Sequence, residues 1–134
     1  MSHRQLFDGI KAVIEDDKPI DELDHFLHGN FVRHGQRAYD IAEYKEMIQR
    51  LRTAFPDLNL VESDRLEAED FFVHRWKREG HHRGAFHGVP PTGKKVSATG
   101  ITISRVEDGL IVEEWAAWNE LQALHSVGIV PATF

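Results

Sequence analysis

The chain has 134 residues, 41% hydrophobic and 28% charged, a size and balance that suit one globular domain over residues 1–134. A formal net charge of −6 leaves no basic stripe for nucleic acid or an anionic membrane surface. The absence of cysteine excludes disulfides, thiol nucleophiles and thiolate metal sites, and no apolar run is long enough for a signal sequence or a bilayer span. The expected location is cytoplasmic.

Residues 3 to 16 place Leu6, Ile10, Val13 and Ile14 on one helical stripe, with Phe7 beside them, and Pro19 closes that helix. "IDELDHFLHG" predicts a short second helix ending at Gly29, and "NFVRHG" no more than a strand stub. Asp40 and Glu43 approximate a capping box. Ile41, Tyr44, Ile48, Leu51 and Phe55 follow at helical spacing until Pro56 stops the run. From Leu58 the pattern turns to strands: "LNLVESDRLEA", "DFFVHRWKRE", "HHRGAFHG", "KVSATGITISRV" and "GLIVEEWAAWNE". Asp108-Gly109 joins the last two as a hairpin. Helices followed by antiparallel strands predict an α+β fold, with a strongly curved sheet wrapped over the N-terminal helices around a conical cavity. Gly84 and Gly100, inside strand patterns, are expected bend or bulge points.

The stretch "HHRGAFHGVPPTGKK", residues 81 to 95, invites two chemical readings. Gly88 to Lys94 fits the spacing of a phosphate loop. However, Lys95 stands where Ser or Thr should hold magnesium, and Pro90 and Pro91 remove two N–H donors. For a metal, His82 points opposite to His81 and His87 along an extended strand, and those two lie roughly 20 Å apart. His25 and His28 are one helical turn apart but need no ligand to be explained. A wide connection stiffened by Pro-Pro is the better reading, and no metal site is predicted.

The block "HHRGAFHGVPPTGKKVSATGITISRVEDGLIVEEW" resembles the signature of the SnoaL-like polyketide cyclases, and the likeness extends to "FVRHG", "AFPDL", "FFVHRW" and "LHSVGIVP". This resemblance implies the nuclear-transport-factor-two-like cone, and cytoplasmic, usually dimeric proteins that bind a small molecule in a buried pocket without a cofactor. Cyclases of the family close a ring by an intramolecular aldol reaction, using an aspartate four residues after the tryptophan of the last strand. Here that tryptophan is Trp115, and Asn119 stands at the aspartate's position. An amide has no usable basicity near neutral pH and cannot act as the general base.

Strand parity puts Trp115, Ala117 and Asn119 on one face and Glu114 and Trp118 on the other. If Asn119 lines the cavity as the resemblance implies, so does Trp115, and Trp118 then faces outward at a subunit contact. His82 and His34 match histidines of the family and are the candidate substitute bases, each equally readable as a structural histidine. Arg105 reads as an anion clamp or an ion-pair partner. Trp76 alternates with His74 and Phe72 and belongs to core or binding wall; Phe86 and Tyr44 complete the candidate binding residues. Two functions stay open. One is a cofactor-free cyclase or isomerase of a largely apolar carbonyl compound, with His82 or His34 as base and Asn119 on the oxyanion; the other is a non-catalytic pocket protein.

Overall fold

Ser2 starts helix α1 (His3–Glu15): its hydroxyl accepts from the Gln5 N–H while the Gln5 side chain accepts from the Ser2 N–H, a closed capping box. The computed structural model describes residues 1–128. The predicted stripe is the buried one, with Leu6, Phe7, Val13 and Ile14 turned inward. Each such side chain contributes about 1.5–3 kcal/mol on leaving water.

The predicted second helix is a 3-10 turn over Ile20–His25. Phe26 ends it, and Leu27 opens strand β1 (Leu27–His34), longer than the stub expected from the sequence. The reason is tertiary. Leu27 and Phe31 are almost fully buried, and β1 pairs in parallel with a strand some eighty residues later, Leu27 opposite Ile111 and His34 opposite Trp115. A partner so distant leaves no local signal. β2 (Ala38–Asp40) folds back on β1, and Asp40 caps helix α2 (Ile41–Ala54) by accepting from the Glu43 N–H at 2.8 Å. Tyr44 and Ile48 face the core.

β3 (Asn59–Glu67), β4 (Phe71–His81), β5 (Lys95–Glu107) and β6 (Leu110–Trp118) complete the sheet, in the order β2-β1-β6-β5-β4-β3. All neighbours are antiparallel except β1 and β6. The α+β architecture is the predicted one: helices held in a curved sheet that does not close, since β2 and β3 remain edges. Asp108 and Gly109, at φ 55° and 77°, make the expected two-residue turn between β5 and β6.

Three local expectations are corrected. The sheet shifts register between Leu27 and Val32, between Glu62 and Asp64, and between Arg105 and Val106, and at neither predicted glycine. Gly100 is small for another reason: a Cβ there would meet Trp76 Cζ2 at 2.4 Å. Secondly, "HHRGAFHG" is not a strand. After His81 the chain leaves the sheet, and a single bridge, Phe86 to Val89, organises a connection to Lys95. Gly84 sits there against helix α2, where a Cβ would lie 2.3 Å from the Thr53 carbonyl. Thirdly, β6 ends at Trp118, and Asn119 caps a short helix α3 (Glu120–Ser126). Part of "LHSVGIVP" lies outside the described residues.

Candidate functional site

Between α1, α2 and the inner face of the sheet lies a cavity of about 800 Å³. Its walls are mainly apolar, with Ile10 and Ile14 from α1, Met47 and Leu51 from α2, and Phe72 and Trp76 from β4. Pleating selects which strand residues reach it. Phe72, His74, Trp76 and Arg78 alternate inward on β4; Thr102 and Ser104 do so on β5, and Glu114, Ala116 and Trp118 on β6. Trp76 is 5% exposed, and its indole N–H donates to the Thr102 hydroxyl at 2.9 Å.

Polar groups enter this wall in a few places. His74 places Nδ1 3.2 Å from Glu62 Oε2, and its ring packs edge-on against Phe7 and Phe72. Arg65 donates to both oxygens of Glu62, from Nε at 3.0 Å and Nη2 at 2.9 Å. Burial pushes the His74 imidazole below its ordinary value, against the upward pull of Glu62 and Glu114. Burial also works to raise the Glu62 carboxyl, but Arg65, His74 and Arg4 outweigh it and hold that group low. An ionised Glu62 accepts a hydrogen bond from the Nδ1–H, which leaves the Nε2 lone pair available.

Glu114, buried, accepts from Arg33 Nη1 at 2.9 Å and from the Ser104 hydroxyl at 3.2 Å. Arg33 also stands over the Tyr44 ring, 5.7 Å from its centroid. Burial, reinforced by Glu114 and opposed by Arg33 and Arg78, pushes the Tyr44 phenol up to about 12. Tyr44 therefore stays protonated and able to donate. Arg78 lies over Trp76, 5.5 Å from the ring centroid. Burial lowers its guanidinium from the ordinary value, yet an arginine keeps its charge in a protein. Among the described residues no group of three or more His, Asp or Glu is arranged to hold a metal ion.

Of the residues singled out from the sequence, Trp76, Tyr44 and Phe86 line the cavity. The others do not. β6 has the opposite parity to that expected: Glu114 and Trp118 face in, while Trp115 faces out and is 37% exposed. Asn119 is exposed, and its side chain accepts from the Gln122 N–H at 3.0 Å as the cap of α3. His34 lies on the outer face, stacked on Trp115 at 5.5 Å, with Nε2 2.7 Å from Glu113. His82 is fully buried, but behind Phe86 and Phe55 and outside the cavity wall. Its Nδ1 lies 3.0 Å from the Thr92 hydroxyl, and its backbone exchanges hydrogen bonds with Gly93 and Lys94, so it ties together the two ends of the connection. Arg105 is an ion-pair partner on the outer face, held by Glu113 and Glu107 at 3.1 Å each.

Sequence reasoning missed His74, Glu114 and Arg33 as the polar centre. A usable signal existed. His74 alternates with Trp76, and counting back from the hairpin turn along paired strands sets Glu114 opposite Ser104 on that same inner face.

The SnoaL-like polyketide cyclase family matches residues 5–126. No curated protein matches the chain. Among solved structures, AclR from Streptomyces galilaeus is 26% identical, with 96% of each chain covered and a TM-score of 0.86. TsrD from Streptomyces laurentii is 25% identical over 97% of this chain and 99% of its own, also at a TM-score of 0.86. IdmH from Streptomyces antibioticus shares the fold at 24% identity and a TM-score of 0.81, over 94% of this chain and 98% of its own. A match over most of the chain, together with an apolar cavity between helices and a curved sheet, places it in the SnoaL-like polyketide cyclase family.

Proposed function

We propose that the chain is a cofactor-free cyclase or isomerase of a largely apolar carbonyl compound, with His74 as its general base. The observation that carries this reading is His74 in the cavity wall, with Glu62 at its Nδ1. The wall offers apolar surface to hold a carbon skeleton, and Glu62 fixes the imidazole tautomer from behind. His74 Nε2 takes a proton from the carbon beside a carbonyl, and the enolate oxygen accepts from the Tyr44 hydroxyl. The enolate carbon then attacks a second carbonyl of the same molecule. The alkoxide formed takes the proton back from His74, so no proton is gained or lost overall. Asn119, exposed and engaged in capping, has no part in this scheme, and neither does His34 or His82. The protein works in the cytoplasm as a homodimer, its subunits meeting on the outer sheet face where Ile101, Ile103 and Trp115 are exposed.

The test compares the wild type and His74→Gln on a polyketide-type compound carrying two carbonyl groups. The substitution should lower ring closure about 100- to 10,000-fold, the usual worth of a positioned base. An unchanged rate would sink His74 as the base. A second reading rests on Asn119 at the family's aspartate position: a pocket that binds such a compound without turning it over. Calorimetric binding with no product from the wild type would favour it.

A further inference from the structure

Arg78 lines the cavity half-buried, and no carboxylate pairs with it, although Glu114 and Glu15 act on its charge from a distance. Its Nε is shut from solvent with no hydrogen-bond partner. Among the described residues, no side-chain hydrogen bond or ion pair reaches its guanidinium; what touches it is the face of Trp76. Every carboxylate lining the same cavity is committed elsewhere. Glu15 pairs with Lys11 at 2.8 Å, Glu79 with Lys77 at 2.7 Å and Lys95 at 3.0 Å, and Glu114 with Arg33 at 2.9 Å. Glu120, at the mouth, bonds Gln36 and lies 3.6 Å from His87.

A cation with no carboxylate partner and one orphaned N–H shut from solvent costs free energy in the empty protein. The cost is recovered when an anion enters, because a planar guanidinium takes a planar carboxylate through paired, charge-assisted hydrogen bonds. The Trp76 ring backs the guanidinium on one side, 5.5 Å from ring centroid to Cζ. We infer that Arg78 is an anion subsite, and that the cavity's ligand is an apolar carbonyl compound bearing a free carboxylate rather than its neutral ester. This rests on the reading of the cavity as the ligand site and adds the ligand's charge to it.

The experiment is calorimetric titration at pH 7.5 with anthraquinone-2-carboxylate and with its methyl ester, a pair that differs in the charge and one methyl group. The wild type should bind the acid roughly ten- to a hundredfold more tightly, the usual worth of a hydrogen bond to a charged group. Arg78→Gln should bring the two affinities together, and Arg78→Lys should retain part of the preference. Equal binding of acid and ester by the wild type would overturn the subsite while leaving the cavity reading intact; so would a preference that survives in Arg78→Gln. Binding of neither probe would overturn both. The empty Arg78→Gln protein should melt no lower than the wild type, since it no longer carries the orphaned Nε–H. A large drop instead would make Arg78 structural and sink the inference.

Discussion

His74 owes its protonation state to what surrounds it, and that state can be read in solution. Burial in the cavity wall lowers its pKa below the ordinary 6.5, so the basic form is already dominant on the acid side of neutrality. Ring closure should rise with pH through that lowered value and be flat by neutral pH, a profile measurable on the same two-carbonyl compound. Glu62→Gln should shift the inflection lower still, because the Glu62 charge is one of the groups lifting His74, and should lower the rate by freeing the ring. Stability should move with it. A histidine whose folded pKa is depressed binds its proton more readily when unfolded. Its contribution is therefore fully present above about 6.5 and lost as pH falls through the folded value. Melting curves at pH 7 and pH 5 should thus differ less for His74→Gln than for the wild type. At Asn119 the expectation is the reverse, a change that does nothing. Aspartate caps a helix as well as asparagine, so Asn119→Asp should alter stability by no more than a few tenths of a kcal/mol. It should also give no gain of ring closure, because the side chain turns to the Gln122 N–H and not to the cavity. A hundredfold rise would return the site to this position.

Among the elements, β4 and β5 show how one small residue admits one large one. Gly100 stands opposite Trp76, and the indole lies where a Cβ would be. Gly100→Ala should cost about 1–3 kcal/mol by overpacking, read as a lower urea midpoint, and the displaced indole should lose its bond to Thr102. The helices were the most legible part of the sequence, since their stripes and capping boxes are local and repeat every turn. The Asp-Gly hairpin was legible for the same reason. What escaped was whatever depended on a remote partner. Leu27 and Phe31 look like the tail of a helix until Ile111 is set beside them. Glu114 looks like an outward residue because its neutralising arginine is eighty-one positions away. The tryptophans at 115 and 118 give both faces of β6 an aromatic, so hydrophobicity alone could not set the strand's parity. The asparagine was placed by likeness to a relative's motif, but its position after the end of the strand takes it out of the pleat altogether.

Over the whole molecule, the sheet has one face on the cavity and another bearing apolar side chains in the open. Ile101, Ile103 and Trp115 sit on adjacent strands, Ile103 directly paired with Trp115. A contiguous apolar patch of this kind is unusual for a surface left bare. Trp115→Glu together with Ile103→Glu should convert a dimer to a monomer by light scattering at micromolar concentration, without loss of the fold by circular dichroism. A wild type already monomeric at that concentration would remove the dimer from the picture. The parallel pairing of β1 with β6 carries its own consequence for how the protein is made. β6 lies between β1 and β5, so the strand that joins the first part of the sheet to the rest is the one synthesised last. Until it leaves the ribosome, β1 has only the three-residue β2 beside it, and an isolated strand pair is marginal in water. The early helices emerge with their apolar stripes uncovered and must wait. Closure then joins residues about eighty positions apart, a slow step by its loop entropy, and the nascent chain keeps apolar surface open for that interval.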